Sequence, residues 1–368
     1  TVTTDWGTIW KYQEECPLNN PLTFASKLPG FLRWSTWQIL AFQKIEKDVI
    51  LHYHDLDTLI GGVFTSRLGE LPLVYDCHEN YPGLVKGAIS SRGANILHKI
   101  EAYLLKYCAG IMAAGPAGYI RLNDMLNIGS SAPFNANDED AFKVLSKPQS
   151  EFLNSRITRV GNAKRLDAYP LSRIQKRKRN KKFRILYIGV LEKHPSRGIL
   201  ETAITVNKMK DVQFDIGGFG TLVPTIKKVC EKMANVNYIG SIHPDNVPLQ
   251  TIESDAVLMA LDPKNDNNRM SAPNKLFEAM SAGVPIITCK ELLMGQFVEN
   301  EEIGLTFEWG KWDRLKAAIM KLIYDKELQA KMGRRGRKLA EKTHNWEKCE
   351  ERIESLYRYV KLNSISPA

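Results

Sequence analysis

SAPNKLFEAMSAGVPIIT, Ser271 to Thr288, decides how the rest of the chain is read. It runs from loop to helix start, short helix, tight turn and buried strand. Pro273 suits a first helical turn, where the missing N–H costs nothing. Leu276, Phe277 and Met280 make an apolar stripe at helical spacing. Gly283 can take the left-handed conformation that ends a helix, and Val284 to Thr288 reads as a buried strand. Lys275 and Glu278 remain as charges near the helix start. Free amides, a cation and a carboxylate suit a phosphorylated, hydroxyl-bearing ligand: the amides and Lys275 face phosphate, and Glu278 accepts from ribose hydroxyls. The plainer reading is an ordinary βαβ segment with a solvated Glu and Lys.

Outward from this segment, strands and helices alternate. Strands are expected at Phe183–Ile188, Gln213–Gly217, Val236–Ile239, Ala256–Ala260, Pro285–Thr288 and Gly304–Phe307, with helices at Gly198–Lys208, Leu222–Met233 and Pro273–Ala282. An earlier series has strands at Asp48–Tyr53, Leu71–Asp76, Gly110–Ala114 and Arg156–Gly161, and helices at Leu56–Leu68 and Ala88–Tyr107. Such alternation predicts parallel, doubly wound sheets that bind ligands at the carboxyl ends of their strands. Asn123–Gln149 is polar and weakly patterned and is expected to form loops. The tail reads as three helices, Trp312–Tyr324, Lys326–Lys342 and Trp346–Val360. Two domains are the prior for 368 residues.

Hydrophobic content of 43% and charged content of 25% are those of a globular protein. No apolar run is long enough to span a bilayer, and no signal-peptide layout follows Thr1. The six cysteines are scattered without CxxC spacing, which argues against a zinc site and for reduced thiols in a cytoplasmic protein. The net charge of +10 favours anionic partners. The basic run Arg173 to Lys182 is read as a solvated linker between domains, or more sharply as a contact with anionic lipid. His52 and His54 fall on one side of their strand by alternation, so a metal-ligand pair is open to them. No carboxylate-rich partner site or Asp-x-Asp motif supports such a pair.

Ser271–Thr288 resembles the donor-site signature of glycosyltransferase family 4, the retaining nucleotide-sugar enzymes of the GT-B fold. The likeness runs from about Asp48 to Val360. It implies two facing Rossmann-like domains with a cleft between them: an acceptor-side domain over 1–172, completed by a crossover helix within 346–368, and a nucleotide-sugar domain over 173–345. It also implies a donor site. Gly189 would bring backbone to the diphosphate, and Arg197-Gly198 stands where a Lys-Gly pair is expected. Gly218 would lie beside the donor pocket, and Ser241 and Ile242 would read the base through their backbone. Ala272, Asn274, Leu276 and Glu278 complete the donor contacts. Two departures stand out: Val190 occupies the place of a usual cation, and Met270 that of a glutamate eight positions before Glu278.

In the first half, Tyr75 to Asn80 resembles the family's Asp-x-His-Glu segment, which would put His78 beside the transferred sugar and Glu79 beside the acceptor. Residues 1–47 lack the expected strand and glycine loop and hold Trp6, Trp10, Trp34 and Trp37 instead. Trp34 belongs to an amphipathic patch that either packs on the domain or meets a lipid-linked acceptor.

The resemblance therefore implies a retaining transferase that needs no cofactor and no metal. Its catalytic residues would be His78, Arg197 and Lys275, its donor a nucleotide-diphosphate sugar, and its acceptor a glycan or a lipid-linked molecule. Its expected place is the cytoplasm, with peripheral contact to the cytoplasmic membrane face. Nucleic acid is not an expected partner, although a DNA-modifying glycosyltransferase also fits the charge. The rival readings are a non-catalytic binding protein of the same fold and an epimerase that needs no acceptor.

Overall fold

Period-two alternation in Leu51-His-Tyr-His54 sets the first domain. Leu51 and Tyr53 are buried on one face, and His52 and His54 point to the other. In the computed structural model, the described residues are 2–4, 7–9, 49–78, 80, 90–128, 155–177, 181–193 and 196–364. Trp6, Trp10, Trp34, Trp37 and Glu79 lie outside them, as does most of the stretch expected to form loops after Asn123. The short strands β1 (Val2–Thr4) and β2 (Gly7–Ile9) form an antiparallel ribbon that joins neither large sheet.

The first sheet is β3 (Leu51–His54), β4 (Leu73–Cys77), β5 (Gly110–Ala113) and β6 (Ile157–Arg159), in that spatial order and all parallel. Helices α1 (Asp55–Gly69), α2 (Ser91–Leu104) and α3 (Pro116–Ile128) cover one face. They bury Leu56, Leu59, Leu104, Leu122 and Met125 against Tyr53, Tyr75 and Ile111. Ser90 caps α2 by accepting from the Gly93 N–H at 3.1 Å. Arg121 of α3 is enclosed beside Glu101 of α2, with side chains 2% and 0% exposed. Nη2 donates to Glu101 Oε1 at 2.9 Å, and the Tyr75 hydroxyl donates to the same oxygen at 3.0 Å. The pair ties both helices to β4.

The second sheet has β7 (Phe183–Val190), β8 (Val212–Phe219), β9 (Val236–Gly240), β10 (Ala256–Met259), β11 (Ile286–Cys289) and β12 (Gly304–Phe307). Its spatial order is β12-β11-β10-β7-β8-β9, all parallel. The order reverses between β7 and β10, the place where doubly wound sheets open a binding crevice. Helices α4 (Leu171–Gln175), α5 (Ile199–Asn207), α6 (Val223–Cys230), α7 (Val247–Ile252), α8 (Asp266–Met270), α9 (Asn274–Ala282), α10 (Leu293–Asn300), α11 (Trp312–Tyr324) and α12 (Lys326–Lys342) follow in chain order. Residues of α5, α6 and α11 pack on Ile185, Tyr187 and Phe214. Leu276, Phe277 and Met280 of α9 pack on Val257, Met259 and Ile286 with α7, α10 and α12. The apolar stripe read in α9 is therefore its core face. The helix begins one residue after Pro273 and ends at Gly283, whose φ of 65° is the left-handed cap.

The last helix, α13 (Trp346–Ser364), returns to the first domain. Leu356 and Val360 pack on Val74 and Met112, the sheet face left open by α1–α3. Arg352 Nη1 donates to the Arg159 carbonyl at 3.1 Å. Among the described residues no helix is long and apolar enough to cross a membrane. Cys77, Cys108, Cys230, Cys289 and Cys349 are free thiols.

Removing the counter-ion of a buried charge costs about 3–5 kcal/mol. Glu101→Gln, which strands Arg121, is expected to destabilise the first domain by that amount in urea denaturation followed by circular dichroism. A loss below about 1 kcal/mol, as for a surface pair, would show that the pair does not hold α2 and α3 to the sheet.

Candidate active site

The ends of β7 and β8 meet at two glycines in register. A Cβ on Gly218, where φ is 136°, would lie 1.8 Å from the Gly189 carbonyl oxygen, so only glycine allows the two strand ends to close up. Into the space above Gly189 comes Lys275, from the first turn of α9. Its Nζ sits 4.4 Å from the centre of the Tyr187 ring and where a side chain at Gly189 would begin. Burial pulls the Lys275 amine down to about 8, with Arg197 adding to the fall and Glu278 opposing it.

Arg197 arrives from the turn after β7. Its guanidinium hydrogen-bonds the Tyr187 hydroxyl, which donates to the Val190 carbonyl at 3.0 Å. Its Nε is buried and has no partner among the described residues. The Asp262 N–H donates to the Ser196 carbonyl at 3.0 Å, joining the turn after β7 to the loop after β10. Two cations thus converge on Tyr187 at the reversal point of the sheet, beside a helix N-terminus whose first amides have no intrahelical acceptor. That is the electrostatics of an oxyanion or phosphate site.

Glu278 lies one turn further along α9, half-buried, 3.4 Å from Lys164 Nζ. Lys164 also donates to Asn274 Oδ1 at 2.6 Å, and Asn162 Nδ2 donates to the Ala272 carbonyl at 2.9 Å. The segment after β6 therefore docks on the start of α9, and Gly115, after β5, approaches Ala272. Ile242, after β9, packs against Gly217, and Ser241 is exposed beside it. Leu276 does not face the cleft: its side chain is fully buried in the core and its N–H donates to the Pro273 carbonyl at 3.1 Å. Met270 ends α8, half-buried.

The remaining catalytic candidate, His78, follows β4 in the other domain. Its Nε2 lies 3.1 Å from Asp76 Oδ2 and 3.1 Å from His54 Nδ1. Burial resists ionisation of Asp76, but hydrogen bonds from His52, His54 and His78 outweigh it and hold the carboxyl well below its usual value. Tyr187, Asn162 and Lys164 were not legible as site residues. Tyr187 reads as one more apolar residue of its strand, and the contacts of Asn162 and Lys164 span 110 positions.

Residues 170–339 match the family described as Glycosyl transferases group 1. The chain has the GT-B fold, and its second domain matches a glycosyltransferase family. Among solved structures, sucrose-phosphate synthase from Thermosynechococcus elongatus is 17% identical, with a TM-score of 0.66 over 95% of this chain and 82% of its own. HepE from Anabaena, solved in complex with UDP, is 14% identical, with a TM-score of 0.61 over 93% of this chain and 84% of its own. A glycosyltransferase from Rickettsia africae is 11% identical, with a TM-score of 0.61 over 95% and 84%. At these identities the likeness is one of fold. No curated protein sequence matches this chain. Within the matched region lie Gly189, Arg197, Gly218, Ser241, Ile242 and Lys275–Glu278, whereas His52 and His54 of β3 and His78 after β4 lie outside it.

The depressed Lys275 sets a sign. Below about pH 8 the folded enzyme holds a buried charge at a cost, and between about 8 and the unfolded value of 10.5 only the unfolded chain stays protonated there. The penalty is thus full at neutral pH and fades as pH rises. Lys275→Met is expected to raise the Tm of the ligand-free protein by several degrees at pH 7, with the gain shrinking above pH 8. A gain that does not change with pH would show that the amine is not desolvated.

Proposed function

We propose that the protein transfers a sugar from UDP-sugar to a hydroxyl of a glycan or lipid-linked acceptor, with retention at the anomeric carbon. The observation that carries this reading is the convergence of Arg197 and Lys275 on Tyr187 at the N-terminus of α9. UDP is named because HepE was solved with it. The donor diphosphate lies over Gly189 and Gly218, Glu278 accepts from the ribose hydroxyls, and backbone groups of Ser241 and Ile242 read the base. Met270 has no group for a sugar hydroxyl, so that recognition falls to the backbone near Ala272 and Asn274.

In the transfer, the acceptor oxygen forms a bond to the anomeric carbon on the face from which the diphosphate departs. The bond between that carbon and the phosphate oxygen breaks, and the leaving phosphate oxygen takes the acceptor proton. The charge that grows on the leaving group is met by Lys275, Arg197 and the helix amides, held in place before the reaction begins. Asn162 and Lys164 position the α9 start against the first domain. The acceptor lies on the first-domain side, where Glu79 and Trp34 are assigned to it, and the basic run after Leu171 is the surface that would meet an anionic membrane.

The test is thermal stabilisation by UDP, GDP, ADP and CMP in EDTA. A ligand at one hundred times its Kd adds about 2.7 kcal/mol, so UDP is expected to raise Tm in a concentration-dependent way without metal. No shift with any nucleotide would overturn the donor site and favour a non-catalytic protein. A shift with release of an altered nucleotide sugar, no acceptor being present, would favour an epimerase. Lys275→Ala should lower kcat about 10²–10³-fold, the range for losing one preorganised charge donor, in a protein that still folds. UDP affinity should also fall as pH rises above 8, by at most tenfold per pH unit, because binding then requires uptake of the Lys275 proton.

A further inference from the structure

We propose that His52, His54 and Asp76, with His78 beside them, form a binding site for one divalent transition-metal ion, of the kind zinc represents. Asp76 Oδ2 lies 3.4 Å from His52 Nε2, 3.3 Å from His54 Nδ1 and 3.1 Å from His78 Nε2. His54 Nδ1 and His78 Nε2 are 3.1 Å apart. A tetrahedral ion with bonds of ~2.0–2.1 Å holds its ligand atoms about 3.3 Å from one another. The donor atoms of His52, His54 and Asp76 all lie within 4.8 Å of one another, and His78 Nε2, 3.1 Å from both Asp76 Oδ2 and His54 Nδ1, stands beside the position left for a fourth ligand.

The placement follows from the strands. His54 and Asp76 are direct partners in the β3–β4 register. His52 sits two residues before His54 and His78 two residues after Asp76, so alternation puts all four on the face that α1–α3 leave open. The segment after β4 is held in position by the His78 N–H, which donates to Asp55 Oδ1 at 2.9 Å. Asp55 itself takes a left-handed φ of 58°. On the far side of His52, Nδ1 meets the Tyr357 hydroxyl of α13 at 2.5 Å. That leaves Nε2 for the ion and fixes the ring, the arrangement that outer partners give to metal-binding histidines. His54 and His78 have side chains 56% and 51% exposed, which opens a path from solvent. Two imidazoles and one carboxylate, with a third imidazole in reach, favour Zn²⁺, Co²⁺, Ni²⁺ or Cu²⁺ over Mg²⁺ or Ca²⁺.

The site stands in the first domain, whereas the charges assigned to the diphosphate come from the second. Its ion is therefore a staple: it joins β3, β4 and the segment after β4, and through Tyr357 it locks α13 onto the sheet. Without an ion, the same atoms share protons as a hydrogen-bonded cluster around Asp76, and the experiment separates the two states.

Tag-free protein stripped with EDTA and dialysed is titrated with Co²⁺, followed by visible d–d absorption, and with Zn²⁺, followed by calorimetry. One ion per chain is expected, with Zn²⁺ displacing Co²⁺ and raising Tm. Tyr357→Phe should weaken Zn²⁺ binding about tenfold, and His54→Ala and Asp76→Asn by more. His78→Ala, at an exposed position, gives the same readout should Asp76→Asn fail to fold. Absence of both the absorption and the heat would overturn the site, and so would one-to-one binding that survives His54→Ala and His78→Ala unchanged. Because UDP binding is measured in EDTA, failure of the metal site and failure of the donor site are separate results.

Discussion

A desolvated ammonium controls the cleft side of the second domain. Lys275 is carried inward because α9 must bury Leu276, Phe277 and Met280 on its other side, and the helix start is fixed by Gly283 at one end and by Asn162 and Lys164 at the other. Tyr187 offers its ring to the amine and its hydroxyl to Arg197, and two facing glycines leave the room. Burial, with a smaller part from Arg197, holds the amine below its ordinary value. The ligand-free arrangement is therefore of higher energy than one in which an anion lies between them.

The first domain solves a different problem. Its sheet has one face covered by α1–α3 and another that, among the described residues, α13 covers. Polar residues at the strand ends of that second face are not driven into a core, so three histidines and an aspartate can gather there. Glu101 and Arg121, by contrast, are fully enclosed and satisfied by each other and by Tyr75. One group is polar and open, the other polar and sealed, on opposite faces of one strand.

The strands of the second domain were legible because parallel strands buried on both faces read as unbroken apolar runs; Phe183–Val190 and Ala256–Met259 are of this kind. Helix α3 was not, since its buried Ala117, Leu122 and Met125 are too widely spaced to outweigh Asn123 and Asp124. Short α10, Leu293–Asn300, was also unread, because eight residues barely show a period. The donor helix and its lysine could be read locally. The supports from Asn162 and Lys164 could not, for they exist only once the domains meet. His52 and His54 could be paired by alternation, but Asp76 and His78 join them through strand register, which no local pattern reports.

The route of α13 has a consequence for how the chain assembles. Val74 and Met112 lie early in the sequence, and the side chains that shield them, Leu356 and Val360, come near its end. During synthesis the face of Val74 and Met112 must wait for these partners until the chain as far as Val360 has left the ribosome. The second domain, whose sheet and helices are contiguous in sequence, can finish before it. The half that is made first is thus the half that matures last, and it is the half that would rely on chaperones in the interval.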